Sequence, residues 1–467
     1  MRVHFLGHAS LLVQSNGSNI LSDPLFGPTL GHDSNQVYPA RTILAEHLPP
    51  LDLVAISHRH NDHFDLDSLR RIRSLGNPQV LIPDDPPLEQ SLRALGYTRI
   101  RRIQPLESFT AGPLTITATP SNVNFPELGY VLSDSEGVVW NQVDSHFEPY
   151  VDEVLSRLER GVDVALMPYQ SGAFNEFIPL LGERMEDSTV ASLRETAAAW
   201  RGTLLKAVEM IRPQMVIPFA NGLCYPEEVE AMNSLHFVEP DKTLLEAVGA
   251  RWPEIKRQLA YPGLRLSFRN GVPEVEEMPG AWLNGVSRPG DRCRFHPERR
   301  LPEQIAPLLP APAGDPESRL RALLEDARLC VRWFSDRADS TFRELGRSIS
   351  VVADPAWYLV VDGLQKPLRY VLRWSADAAV FEELPASAEA GSPQMRIHAN
   401  DLTGILENRI DLYDVVLGAR VRLRLPEGVP VSNANVTKFC IDPAWFALAH
   451  AKVGDGPVER VGLTAVA

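Results

Sequence analysis

The nine residues "SHRHNDHFD" (57–65) constrain this chain more than any other stretch. Three histidines and two aspartates fall within eight positions, on a chain with twelve histidines in all. They follow "LDLVAISH", an apolar run with β-branched residues that reads as a buried strand. The strand delivers His58 to a sheet edge. In the extended loop beyond it, His58 and His60 point the same way, because side chains two apart share a face. Asp62 and His63 then turn to the other side. One stretch can offer two imidazoles to one metal ion, and a carboxylate plus an imidazole to a second. Such ligands suit zinc, iron and manganese. A histidine-rich solvated loop is the plain alternative, and the density of the cluster right after an apolar strand argues against it. A closed structural zinc site would favour thiolates, and no cysteine lies near.

A dinuclear site needs ligands from elsewhere. Asp144, ending the strand "GVVWNQVD", is the candidate for a bridging carboxylate, with an ordinary turn residue as its alternative. His146, two residues on, either faces the same site or packs. Asp62 and Asp144 are the candidate catalytic residues.

Composition narrows the partners. The formal net charge of −14 disfavours a nucleic-acid or anionic-membrane surface, since both ask for a basic face. A small basic pocket, and with it a small anionic substrate, stays open. The four cysteines, Cys224, Cys293, Cys330 and Cys440, are far apart and form no CxxC pair. That disfavours a zinc ribbon, an iron–sulfur cluster and a disulfide framework, and suits a reducing compartment. No apolar run approaches the ~20 residues of a membrane span, so the expected location is cytoplasmic.

With 467 residues, 44% of them hydrophobic, the chain can build more than one core. "SLLVQSNGSNILSDP" reads as a hairpin about Asn16-Gly17, and Asp65 as the N-cap of a helix in "DLDSLRRIRSL". Strands then alternate with helices, which favours an α/β sandwich with sheets inside and helices outside. Residues 285–318 are rich in Pro, Arg and Gly and read as a linker or wrapping segment. The expected organisation is a catalytic domain over 1–284, this linker, and a smaller α+β domain over 319–467.

These residues resemble the metallo-β-lactamase superfamily, an αββα sandwich with metals at the sheet edges held by HxHxDH and a later bridging Asp. "FLGHASLLVQSNGSNILSDPLF" fits as well, with His8 in the "GHAS" loop and Asp23 in the "DP" turn. Within the superfamily the chain is most similar to the catalytic and C-terminal regions of the CMP-N-acetylneuraminate hydroxylase group. "ISHRHNDHF", "NQVD", "PYQSGAFNEFIP", "VIPFANGLCYP" and "RIDLYDVVLGARVRLRLPEG" carry that likeness. The resemblance implies two metal ions. The chain lacks the paired Cys/His motifs of the Rieske domain that precedes this region in the hydroxylases. An oxygenase of this kind would therefore need a separate electron donor, a ferredoxin or reductase. Many hydrolases of the superfamily place histidines where this chain has Ser121-Asn122 and Ala220-Asn221. Asn124 and Glu127 share the first loop, and Glu227 and Glu228 follow the second. Glu127 is a candidate carboxylate ligand, with a solvated loop acid as the alternative. Fewer imidazoles and more oxygens make a harder site, which leans toward iron and leaves zinc or manganese compatible.

Three functions follow. One is a dinuclear non-haem iron oxygenase, oxidising a small molecule with electrons from a separate reductase. The second is a hydrolase of an ester, lactone, amide or phosphodiester, using a metal-bound water. The third is a non-catalytic metal or ligand-binding protein. Other features are weaker. Polar residues of "YQSGAFNEF" (169–177) either line a pocket or form a surface loop. Cys224 is a nucleophile, a ligand or a small buried hydrophobe. Arg409, Arg420, Arg422 and Arg424 either bind an anion or form the exposed face of a half-buried strand.

Overall fold

The computed structural model describes the chain except residues 124, 146–149, 170–186, 221, 241, 288–294, 300–301, 303, 337–355, 375–377, 386, 427, 430–432 and 449–467. For 187–189, 333–336, 413, 433–434 and 445 it describes the backbone alone. His146, the polar residues from Gln170 to Glu176, Asn124, Asn221 and Cys293 thus lie outside the described residues or within their gaps.

Alternation along the strands builds two layers. In Leu53–Ala55, Leu53 and Ala55 face inward while Val54 and the following Ile56 face outward. The strand pairs in parallel with Ser18–Ser22 and with Gln79–Ile82, so both its faces are covered and it reads as an unbroken apolar run. The eight-stranded sheet that contains it runs from Val272–Glu277 at one edge to Ile100–Arg102 at the other. A seven-stranded sheet runs from Ser108–Ala111 to Lys256–Arg257, with Val138–Asn141, Val164–Pro168 and Met215–Phe219 in parallel at its centre. The inner faces meet through Phe5, Leu11, Val13 and Leu81 on one side and Ile116, Tyr130, Leu166 and Ile217 on the other.

Helices cover both outer faces. Leu66–Leu75 and Pro86–Ala94 bury Leu69, Ile72, Leu88 and Leu92 on the first sheet. Asp187–Ile211 and Lys242–Arg251 bury Leu204, Val208, Leu244 and Val248 on the second. The result is an αββα sandwich, as the sequence leads one to expect. Local chemistry agrees with the expected punctuation. Asn16 and Gly17 have φ of 43° and 90°, as a two-residue hairpin requires. Asp65 caps its helix by accepting from the Ser68 backbone N–H at 2.8 Å.

The C-terminal part is a five-stranded sheet, from Ala379–Glu383 through Ala356–Asp362 to Val421–Arg424, packed on the helix Pro316–Asp336. Its core is continuous with sandwich residues Leu193, Tyr225, Met232 and Leu235. Described residues of the Pro/Arg-rich segment, Pro302, Ala306, Leu308 and Leu309, lie against this part of the chain. Asp401 accepts from the Leu308 and Leu309 N–H groups, and Arg422 donates to Pro302 O at 2.8 Å. Arg420 and Arg422 are therefore buried, contrary to the exposed face expected from "RVRLRL". Their stems and guanidiniums are taken up by the strap's carbonyls, while Arg409 pairs with Glu407. Among the described residues no helix is long and apolar enough to cross a membrane.

His4 gives this core a titratable element. It is buried, accepts or donates at Gln14 and packs edge-on against Trp282. Burial pulls its pKa down to about 4. Between pH 6.5 and 4 the unfolded chain takes up a proton that the folded chain refuses, so the folded state loses stability as pH falls through that window. His4→Gln should be less acid-sensitive there, by up to roughly 3 kcal/mol, in urea unfolding at pH 7 and pH 4.5. An identical pH slope in the two proteins would refute the assignment.

Candidate metal centre

The motif sits where the strand Leu53–Ala55 leaves the first sheet. His63 N–H and Phe64 N–H both donate to His60 O, at 3.0 and 2.8 Å, and close a tight turn across Asn61 and Asp62. The strand Val138–Asn141 of the second sheet ends opposite. Its turn is held by the Val143 N–H on Asn141 Oδ1 and by Gln142 Nε2 on Ser145 Oγ. That turn presents Asp144 to the histidines. The sandwich thus brings both segments to one edge, at the carboxyl ends of parallel strands where α/β folds place ligands.

Two imidazoles are held in one tautomer by a single buried carboxylate. Ser57 donates to Asp23 through both its N–H and its hydroxyl, each at 2.8 Å. The hydroxyl proton being committed, Ser57 Oγ accepts from His58 Nδ1 at 2.9 Å. His63 Nδ1 donates to Asp23 Oδ2 at 3.1 Å. Both rings therefore carry their proton on Nδ1 and turn Nε2 into the site, the arrangement a metal-binding histidine needs.

The Nε2 atoms converge on Asp144. Asp144 Oδ2 lies 3.1 Å from His63 Nε2 and 3.9 Å from His58 Nε2. His60 Nδ1 is 2.9 Å from His58 Nε2, and Asp62 Oδ2 is 3.4 Å from His63 Nε2. Donors at ~2.0–2.1 Å from one metal stand about 2.8–3.4 Å apart when the angle between them is near 90–110°. His63 Nε2 and Asp144 Oδ1 are buried with no hydrogen-bond partner among the described residues. Buried polar atoms without partners are costly, and a cation between them would remove that cost. The residues fit a metal site.

Charge agrees. Burial, then the neighbouring His63 and His60, hold His58 well below the usual histidine range, and burial likewise lowers His60. Both stay neutral and ready to ligate. Burial opposes a charge on His63, but Asp144 and Asp62 outweigh it and raise His63 well above the usual range. Asp62 is held low by His63 and His8 against the effect of burial.

Glu127 is buried beside the cluster but outside these converging atoms. Its Oε2 is 3.8 Å from His58 Nδ1, and its Oε1 accepts from Ser121. Burial, then the charge of Asp144, push its pKa up to about 7. Phe125 from the same loop covers the His58 and His60 rings, at 5.8 and 4.9 Å between centroids. Asn122 is exposed in this loop and Glu227 and Glu228 lie exposed after the other. Cys224 sits in a short strand beside Gln36, in neither metal-competent group.

His8 joins the cluster although its spacing from the motif gave no signal for a direct contact. Its Nε2 lies 3.0 Å from Asp62 Oδ2, and it groups with Asp62 and His63 by distance. However, the Gly222 backbone N–H donates to His8 Nδ1 at 3.2 Å. The proton of His8 must then be on Nε2, so His8 donates to Asp62 and is not itself a ligand. Gly222 makes room for it: a Cβ there would fall 2.5 Å from His8 Cα, while one on the preceding Gly7 (φ +110°) would meet Arg41 Nε at 2.9 Å. His8, Asp23, Val143 and Ala220 all have positive φ, between 40° and 58°. Such backbone costs about 1–3 kcal/mol per residue and gathers at functional sites.

Residues 18–219 match the family described as the Beta-lactamase superfamily domain. The chain is 26% identical over 242 residues to 4-amino-L-phenylalanyl-[CmlP-peptidyl-carrier-protein] 3-hydroxylase of Streptomyces venezuelae, covering 47% of this chain and 44% of that one. The match thus spans less than half of that relative's length. An N-acyl-phosphatidylethanolamine-hydrolyzing phospholipase D 1 of Caenorhabditis elegans is 37% identical over 79 residues, 16% of this chain and 22% of that one. The crystal structure of CmlA, a diiron beta-hydroxylase from Streptomyces venezuelae, superposes with a TM-score of 0.40 at 20% identity, over 59% of this chain and 54% of that one.

Asp23→Asn keeps the shape at the centre of the tautomer network while removing its charge. Metal affinity should fall about 10–100-fold, measured by competition with a chromogenic chelator. Affinity equal to wild type would show that Asp23 does not orient the histidines.

Proposed function

Because the chain carries a beta-lactamase superfamily domain over residues 18–219, we propose that it is a non-haem di-iron oxygenase that oxidises a small molecule. Its electrons would come from a separate ferredoxin or reductase. The observation that carries this reading is the donor set about Asp144. Two imidazoles and one carboxylate, from His58, His63 and Asp144, offer atoms all within 4.8 Å of one another. Imidazole and carboxylate donors together suit iron, and Asp144 stands between His58 and His63, where one carboxylate could serve two ions. Asp62 adds a further oxygen donor at the edge. The hydroxylase named among the relatives supports the same chemistry.

His58, His60 and Asp144 would hold one ion, and Asp62, His63 and Asp144 the other. Bound there, iron would supply the transfer of electrons to dioxygen. The chain's own groups do the rest. Asp23 and Ser57 orient His58 and His63. His8 Nε2–H holds one oxygen of Asp62. Phe125 shields the rings of His58 and His60 from water. Glu127, poised near neutral pH, can take or return a proton at its carboxyl oxygens.

A hydrolase is the second reading, favoured by the short segment shared with the phospholipase. There zinc or manganese would act as a Lewis acid on water and no electron donor would be needed. Metal analysis of anaerobically purified protein, followed by oxygen-electrode assays, separates the two. We expect two irons per chain and dioxygen uptake that requires both Fe(II) and a chemical reductant. Asp144→Ala should lower that uptake by at least ~100-fold. Two zinc ions per chain, turnover of an ester or phosphodiester panel and no oxygen uptake would establish the hydrolase instead.

A further inference from the structure

We propose that Asp414, in the C-terminal part of the chain, is a positioning residue for the metal-binding loop, acting by holding Asn61 between His60 and Asp62. The proposal rests on the metal reading above. Asn61 Nδ2 donates to Asp414 Oδ1 at 2.7 Å, across 353 residues of sequence. Asp414 is 8% exposed, on the short helix Leu412–Leu417.

The carboxylate has little room to move. A Cβ built on Gly31 would meet Asp414 Oδ1 at 2.8 Å, and one on Gly418 would meet Ser34 Cβ at 2.8 Å. The end of the helix therefore touches the loop around Leu30–Asn35 with no space for a methyl group. Asn61 is anchored on this wall, while the turn it belongs to is closed by the two N–H groups on His60 O. His60 precedes Asn61 and Asp62 follows it, and these face different parts of the site. Tilting the Asn61 peptides shifts His60 and Asp62 together. Ligand geometry tolerates errors of only about 0.5 Å, so a second anchor on a four-residue turn matters. A purely adhesive contact between the two parts of the chain would instead affect stability and leave the metal alone.

The test uses the full chain and cobalt(II), whose visible bands report ligand geometry. Wild type should bind two cobalt ions. Asp414→Ala should weaken at least one by roughly tenfold and alter the band shape. Asp414→Asn, which can still accept from the Asn61 amide, should restore both. Asn61→Ala should reproduce the Asp414→Ala effect, and the double variant should be no worse than either single one. If Asp414→Ala lowers the melting temperature too far to titrate, Asn61→Ala, on the rim, carries the comparison. Wild-type binding and bands in both alanine variants would overturn the proposal, as would additive losses in the double variant. A wild-type chain that takes up no cobalt would overturn the metal reading, and this proposal with it.

Discussion

Asp23 is a carboxylate with no contact with solvent, and the site is organised around satisfying it. Two of its donors come from Ser57 and one from His63. Leaving a buried charge without donors costs several kcal/mol, so the end of the strand Leu53–Ala55 and the turn after it are drawn to one point. The same bonds commit the Ser57 proton and place protons on Nδ1 of His58 and His63. With the bond from His58 Nδ1 to Ser57 Oγ, one set of four hydrogen bonds is both a folding constraint and a ligand-orienting device.

Around that centre the protein accepts strain. Positive φ at His8, Asp23, Val143 and Ala220 runs against the preference of side-chain-bearing residues, most of all for β-branched Val143. Each lies on a loop that brings a polar group to the cluster, and each is bounded by a strand of the two buried sheets. The large apolar interface between the sheets offsets the local cost. Rigid strands with strained loops at their carboxyl ends are a general way for α/β proteins to build sites.

Much of this was legible in the residues themselves. The unbroken apolar character of "LDLVAIS" signalled a strand covered on both faces, Asn16-Gly17 a tight hairpin and Asp65 a cap, because each depends on neighbours a few positions away. Asp144 was read as the end of an apolar strand, and the structure places it in the turn just beyond Val138–Asn141. His8 was visible only as part of a family resemblance. Its hydrogen bond to Asp62 depends on a strand crossing, and its role depends on a backbone N–H from Gly222. Arg420 and Arg422 were misjudged for a related reason. Alternation predicts one solvent-facing side of a strand, but the wrapping segment covers that side and gives their guanidiniums carbonyl partners.

The sequence by itself determined that imidazoles and carboxylates are concentrated after a buried strand, and that two layers of sheet would be covered by helices. Those are consequences of side-chain chemistry and of short-range periodicity. Only the tertiary structure decided which nitrogen of each histidine faces inward, that His8 supports Asp62 instead of ligating, and that Asp414 reaches Asn61. Proton position is set by whichever donor or acceptor stands on the far side of a ring. Asp23 and Gly222, which set the protons of His63 and His8, come from parts of the chain that only packing brings to 3.1 and 3.2 Å.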